Sequence, residues 1–318
     1  LRRLAATAIL LITGCNRHQS ALAPFGAEAD DTLSLTIVLA SGAAVIALGV
    51  VLLVWNASRA REHALSESGG LRLVLWAGAI FPTVVLTVLL LFALPAMRPL
   101  PESDADLRIQ VEGEQFWWRV RYAPPGAAPL MAANEVRVPV GRTVVFELTA
   151  TDVIHSFWIP GLAGKMDMIP GRTNQLVVRA TKPGTFRGVC TEFCGLSHAL
   201  MAFDVIAMEP AAFDAWLAEA RRTERASSGR GAQAFDRRGC GACHAIAGTP
   251  HHAVIGPDLT HYSERLTLGA GILEPTVANT AAFIRDPSAF KPGARMPAYA
   301  AMPQAEAEAI ARYLKGAP

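Results

Sequence analysis

The chain has 318 residues, of which 52% are hydrophobic and 18% charged, with a formal net charge of +2. That length allows two or three domains, and the apolar excess over charge points to membrane content. A near-neutral balance without a basic stripe excludes a nucleic-acid partner and gives no sign of an acidic one.

Arg2 and Arg3 precede an apolar run from Leu4 to Ile12 that ends at Leu11-Ile12-Thr13-Gly14-Cys15. This reads as a signal peptide over 1–14 with a lipobox-like end, Cys15 being the expected site of lipidation. Cleavage after Ala21-Leu22-Ala23 is the alternative. Residues 15–32 then form an extracytoplasmic N-terminal segment. Two long apolar spans follow, Leu33 to Trp55 and Leu71 to Leu94. Each exceeds the roughly 20 residues that cross a bilayer as a helix, so 33–95 reads as a transmembrane helical hairpin. Arg59, Arg61 and Arg72 put the connecting segment on the cytoplasmic side by charge bias. Pro82 is expected to kink the second helix.

From Asp106 the pattern changes to short alternating segments separated by turns, such as Val136 to Val140, Thr143 to Thr149, Gln175 to Arg179 and Thr185 to Val189. Regular short strands of this kind predict a β-sandwich or Greek-key barrel over 106–220. Gly113-Glu114-Gln115-Phe116-Trp117-Trp118 is an aromatic segment whose ordinary explanation is core packing. His155 stands in Asp152-Val153-Ile154-His155-Ser156-Phe157, and Lys165 to Arg172 includes Asp167, with an Asp167–Arg172 salt bridge as its simple reading. Between Cys190 and Met201 the chain gathers Cys190, Cys194, His198 and Met201. Thiolate and thioether favour Cu(I) and imidazole suits both copper oxidation states, so the set fits a copper ion that cycles between them. A Cys190–Cys194 disulfide is the alternative, and it leaves His155, His198 and Met201 unexplained. Phe213, Trp216 and Leu217 recur at helical spacing after Glu209. Residues 221–231, rich in charge, Ser and Gly, read as a flexible linker.

In 232–318, Cys240-Gly241-Ala242-Cys243-His244 is the C-x-x-C-H attachment signature of c-type haem, with both thiols bonded to the porphyrin and His244 on the iron. The second axial ligand is expected at Met296, in Gly293-Ala294-Arg295-Met296-Pro297, a context that resembles class I cytochromes c; Met302 is the competitor. His251, His252 and His261 are expected on the surface. Ile255-Gly256-Pro257-Asp258-Leu259 resembles the loop that supports the proximal histidine through a proline carbonyl. The last helix is expected from Pro303 to Lys315.

The stretch Cys190-Thr191-Glu192-Phe193-Cys194 with His198, Met201 and the upstream His155 resembles subunit II of cytochrome c oxidase, here with a fused cytochrome c, as in a caa-type haem-copper oxidase. That resemblance implies a multidomain membrane protein: a two-helix hairpin, a cupredoxin-like β-domain and an all-α class I cytochrome c domain. It implies a binuclear CuA centre with Cys190 and Cys194 bridging, His155 and His198 terminal, and Met201 and the Glu192 carbonyl as weak axial ligands. It further implies Mg2+ near Glu192 and Asp167, shared with subunit I, and electron entry near Phe116, Trp117 and Trp118, although Phe116 stands where the family usually has tryptophan. No residue in this chain is expected to catalyse bond chemistry on O2. The implied partners are subunit I, subunit III and a donor such as a cytochrome c or a quinol-cytochrome c reductase. The implied location is the bacterial cytoplasmic membrane, with the copper and haem domains on the extracytoplasmic face. Leu71 to Trp76 carries no acid for a proton channel, Glu67 being the nearest. Two other readings remain open: the electron-entry subunit of a CuA-containing nitric oxide reductase, and a membrane-anchored copper-delivery protein.

Overall fold

A computed structural model describes residues 16, 18–60, 66–96, 100, 105–123, 128–222 and 229–316. The expected signal segment, Cys15 and Arg61 lie outside the described residues. The two apolar spans are helices, α1 (Ala27–Arg59) and α2 (Glu67–Pro95), each long and apolar enough to cross a membrane. Leu48, Val51, Trp55, Leu91 and Phe92 are all more than half exposed, as lipid-facing side chains would be. Before Pro82, where a kink is expected, the turn is widened: Val74–Ile80 is π-helical, and the Phe81 N–H reaches back to the Trp76 carbonyl. Proline lacks an N–H and its ring crowds the carbonyl four residues earlier, so an extra residue in the preceding turn makes room.

Ten strands follow in chain order: β1 (Leu107–Glu114), β2 (Trp117–Tyr122), β3 (Leu130–Ala133), β4 (Glu135–Pro139), β5 (Thr143–Ala150), β6 (His155–Trp158), β7 (Met166–Met168), β8 (Asn174–Arg179), β9 (Gly184–Cys190) and β10 (Ala202–Met208). They form two five-stranded sheets, β3-β2-β1-β5-β8 and β4-β10-β9-β6-β7. Ladders β1–β5 and β4–β10 are parallel and the others antiparallel, as crossovers between two sheets require. Alternation along β1 buries Ile109, Val111 and Gly113 while their neighbours stay wetter. Between the sheets an aromatic cluster fills the core. Trp118 stands edge-on to Phe203 at 5.1 Å and to Phe157 at 5.8 Å, and Phe157 stacks on Phe203 at 4.6 Å.

Residues before α1 are tied to this sandwich. The Phe25 and Gly26 N–H groups donate to the Gly161 carbonyl at 2.7 and 3.1 Å, and Thr181 N–H donates to the Phe25 carbonyl at 2.6 Å. The Phe25 ring stacks on Phe186. After β10, α3 (Pro210–Arg222) lays Phe213 and Trp216 on the sandwich, with Trp216 edge-on to Tyr122 at 5.4 Å.

The C-terminal part contains α4 (Arg230–Arg237), α5 (Val277–Arg285) and α6 (Gln304–Leu314) around a separate core of Phe235, Ile246, Tyr262, Ile284, Ile310 and Leu314. The expected linker is helical at both ends, since α3 includes Arg221 and Arg222 and α4 includes Arg230 and Gly231; 223–228 lie outside the described residues. Sandwich and helical domain belong to one compact unit. Arg187 donates to the Gly271 carbonyl at 2.9 Å, the Ala202 N–H to the Ala270 carbonyl at 3.0 Å, and the Ser197 hydroxyl to the Pro292 carbonyl at 2.6 Å.

Lys291 crosses the same seam with its side chain buried. Its Nζ donates to the Leu200 carbonyl at 3.1 Å and the Gly269 carbonyl at 2.5 Å. Burial pushes its pKa down to about 7, with neighbouring Cys194 opposing the shift. An unfolded lysine keeps its proton to about 10.4. Between these values the unfolded chain therefore holds more protons on this residue, and its contribution to stability rises with pH. Lys291→Met is expected to gain stability over the unmodified chain at pH 6, with the gain shrinking towards pH 10. Denaturant titrations of both proteins across that range measure the difference, and a pH-independent gap would contradict it.

Candidate metal centre

Strand ends bring the soft ligands together. Cys190 closes β9, His155 opens β6, and these strands pair with Phe157 opposite Cys190. The Cys190 N–H donates to the Met201 carbonyl at 2.9 Å, so 191–200 bulge out as a loop between β9 and β10. Within that loop His198 sits on a single 3-10 turn, and Met201 is buried just before β10.

The two Sγ atoms are 3.8 Å apart and both cysteines are free. A disulfide needs about 2.05 Å, so the alternative pairing is not formed. Each sulfur faces one imidazole: Cys190 Sγ lies 3.9 Å from His155 Nδ1, and Cys194 Sγ lies 3.6 Å from His198 Nδ1. Met201 Sδ is 3.8 Å from Cys194 Sγ, and the Glu192 carbonyl is 3.3 Å from Cys190 Sγ. His155, Cys190 and Cys194 are buried with their ligand atoms within 4.8 Å of one another, a group among the described residues that could hold a metal ion. Buried soft donors converging on one another fit a copper pair. The six residues expected to hold copper are thus close together in one place.

Electrostatics already favour anionic sulfur. The Cys194 thiol donates to Cys190 and, with His155, holds the Cys190 thiol well below its ordinary pKa, while Cys194 is pushed up by the same sharing and by burial. Burial opposes a charge on His155, yet Cys190 and Asp152 outweigh it and raise its pKa. Asp152, three residues before His155, has its pKa raised by burial, but the Gln115 and Val153 N–H groups and His155 bring it below the ordinary value. Its Oδ1 is 3.0 Å from His155 Nε2, which leaves Nδ1 for the metal.

The backbone also makes room. A Cβ on Gly113 would lie 2.8 Å from His155 Cδ2, so only glycine lets β1 pass beside this imidazole. Behind the ring stands Trp118, 6.2 Å away between centroids. Trp118 is fully buried in the core, which removes it from any docking surface; Phe116 is buried too, and Trp117 is half-buried with its Nε1–H donating to Glu114 at 3.0 Å.

Asp167 pairs with Lys165 at 2.6 Å and accepts from Ser156 at 2.8 Å, so the expected Asp167–Arg172 bridge is replaced by a nearer cation two residues away. Lys165 holds the Asp167 carboxyl below its ordinary pKa.

In the helical domain Cys240 opens a 3-10 turn, the His244 N–H donates to its carbonyl at 3.1 Å, and both thiols are free. Burial pushes the Cys240 thiol up to about 11. His244 Nδ1–H donates to the Pro257 carbonyl at 2.7 Å, which leaves Nε2 as a neutral donor for iron, and burial lowers the His244 pKa in the same sense. These residues fit a haem. Met302 is 2% exposed in the domain core, whereas Met296 is half-buried at its edge. Of the histidines expected on the surface, His252 is exposed, but His251 and His261 are half-buried, the first 2.7 Å from Asp236 and against the Phe235 ring, the second 3.4 Å from Glu264.

Sequence reasoning missed Asp152, Gly113, Ser197, Lys291 and Arg295. An acid three residues before a ligand histidine is a local signal; the others act only through chain segments far apart in sequence. Gly113→Ala is expected to displace the His155 imidazole and weaken metal binding about tenfold, the effect of disturbing a ligand's support, as measured by competitive copper titration of the full chain.

Residues 125–208 match the family described as cytochrome c oxidase subunit II, periplasmic domain, and residues 228–318 match cytochrome c. Cytochrome c oxidase subunit 2 of Alkalihalophilus pseudofirmus is 36% identical over 327 residues, covering 96% of this chain and 93% of that protein. The Bacillus subtilis protein of the same name is 30% identical over 345 residues, covering 98% and 96%. The crystal structure of the periplasmic domain of subunit II of cytochrome oxidase of Bradyrhizobium japonicum is similar at 34% identity and a TM-score of 0.35, covering 37% of this chain and 95% of that one. With both of its extramembrane domains matched and relatives aligned along nearly its whole length, the chain belongs to the cytochrome c oxidase subunit 2 family and carries a C-terminal cytochrome c domain.

Proposed function

We propose that the chain is the electron-entry subunit of a respiratory cytochrome c oxidase, passing electrons from a haem c covalently bound at Cys240 and Cys243 through a binuclear CuA centre to subunit I, where O2 is reduced to water. The observation that carries the reading is the pairing of each of two buried, unbonded sulfurs with its own imidazole. A single-metal delivery site needs fewer ligands and gains nothing from such duplication.

When bound, the copper pair and the haem each supply a one-electron couple. The chain's residues would hold these groups and keep their surroundings fixed. His155, Cys190, Cys194, His198 and Met201 would ligate copper together with the Glu192 carbonyl. Burial of Cys190, Cys194 and His155 keeps water out and limits reorganisation when charge changes. His244, with its tautomer set by Pro257, and Met296 would ligate iron; Met/His ligation raises the potential of a c haem. Mg2+ shared with subunit I would draw on Glu192 and Asp167, with Lys165 yielding its place on Asp167. Electron entry from outside would then address the cytochrome c domain, because the backbone of Gly293 lies against Phe116.

In this reading α1 and α2 cross the bacterial cytoplasmic membrane and both redox domains stand on the extracytoplasmic face, with Cys15 as lipid attachment point. Subunits I and III are the partners in the membrane, and a cytochrome c or quinol-cytochrome c reductase is the donor.

The complex purified with its partner subunits tests this directly. Expected are two coppers per chain, a near-infrared mixed-valence band that Cys190→Ser removes, haem that stays with the polypeptide after denaturation, and O2 uptake that the same substitution abolishes. One copper per chain, haem released on denaturation, or reduction of nitric oxide in place of O2 would overturn it.

A further inference from the structure

Asp152 serves two domains at once. Its Oδ1 faces His155 Nε2 at 3.0 Å and accepts from the Val153 N–H at 2.8 Å; its Oδ2 accepts from the Gln115 N–H at 2.9 Å and from Arg295 at 3.1 Å. Arg295 belongs to the cytochrome c domain and immediately precedes Met296. The carboxylate is 11% exposed and the guanidinium 63% exposed, so the acid is fixed in the sandwich and the cation reaches it from the solvent edge of the seam. Other contacts set the same loop down on the copper loop: Lys291 on the Leu200 carbonyl, the Pro292 carbonyl on the Ser197 hydroxyl, and Gly293 against Phe116 and Leu196. Arg295 therefore reaches Asp152 only while this loop is seated.

A carboxylate that accepts from an imidazole N–H pushes electron density onto the ring and strengthens its other nitrogen as a ligand. A cation on the second carboxylate oxygen draws that density back, and its own charge favours the reduced metal. Both effects have one sign. We propose that Asp152 is a positioning residue that transmits docking of the cytochrome c domain to His155: with Arg295 engaged, the copper site holds an electron more tightly than with Arg295 withdrawn. No proton or bond changes hands; one electron is redistributed between two sites of one chain. The inference rests on the copper and haem reading above.

The test uses the full chain with copper and haem loaded, partly reduced, and read by the near-infrared copper band and the visible haem band. At a fixed applied potential Arg295→Gln is expected to lower the ratio of reduced to oxidised copper about threefold, and Arg295→Lys to restore most of it. Raising ionic strength from about 0.01 M to about 1 M, which shortens the screening length from about 30 Å to about 3 Å, should shrink the difference. In an Asp152→Asn background, where only the direct field of the Arg295 charge remains, Arg295→Gln should add a clearly smaller change. Whether Arg295→Gln leaves the domain docked or frees it, the ratio of reduced to oxidised copper must fall; an unchanged or raised ratio overturns the proposal. Failure of the underlying reading looks different, since the near-infrared band would then be missing from the unmodified chain.

Discussion

The hydrogen bond from the Cys190 N–H to the Met201 carbonyl is the constraint on which the site depends. It extends the β9–β10 ladder by one step and turns everything between into a closed loop with fixed ends. Without that closure Cys194 and His198 would sit on an open chain, and the entropy of ordering them would oppose metal binding. With it, two sulfurs stand side by side in a pocket walled by Trp118 and the aromatic core. The rigidity of these candidate ligands is thus borrowed from ordinary sandwich packing.

The second organising relation is between domains. The cytochrome c domain meets the sandwich through backbone carbonyls, the Ser197 and Thr267 hydroxyls and several charged side chains, with Phe116 and Leu196 against Gly293. Polar seams of this kind give orientation more than adhesion, and orientation is what a short electron path needs. Phe116 shows how this reshapes the copper face. At a position where a soluble donor would be expected to meet an open aromatic, the ring is covered by Gly293 of the chain's own domain, whose φ of +79° and missing Cβ allow the close approach.

Much of this was legible in the sequence because the chemistry is local there. Cys190, Cys194, His198 and Met201 fall within one loop, and Cys240, Cys243 and His244 within one turn, so residue type and closeness point to metal and haem, with the copper pair implied by the resemblance to subunit II. The strands at 143–150 and 174–179 follow from alternation, and the Pro257 support of His244 from a short loop motif. What could not be read depends on contacts across the fold. Nothing in the neighbourhood of Asp167 says that Lys165 outcompetes Arg172, since both are close in sequence and only the β6–β7 turn decides. Arg295 is 143 residues from Asp152, and Lys291 is 91 from Leu200. The widened turn before Pro82 was foreseeable as a disturbance but not as an added residue, because proline dictates what must be avoided and leaves the remedy to the helix.

Lys291 gives the seam its particular character. A buried ammonium that finds carbonyl oxygens but, among the described residues, no carboxylate loses more hydration than those partners return. The cation therefore works against the fit it helps to define. A joint assembled this way is specific in its geometry and modest in its grip, a clasp that fits in a single orientation without a strong hold.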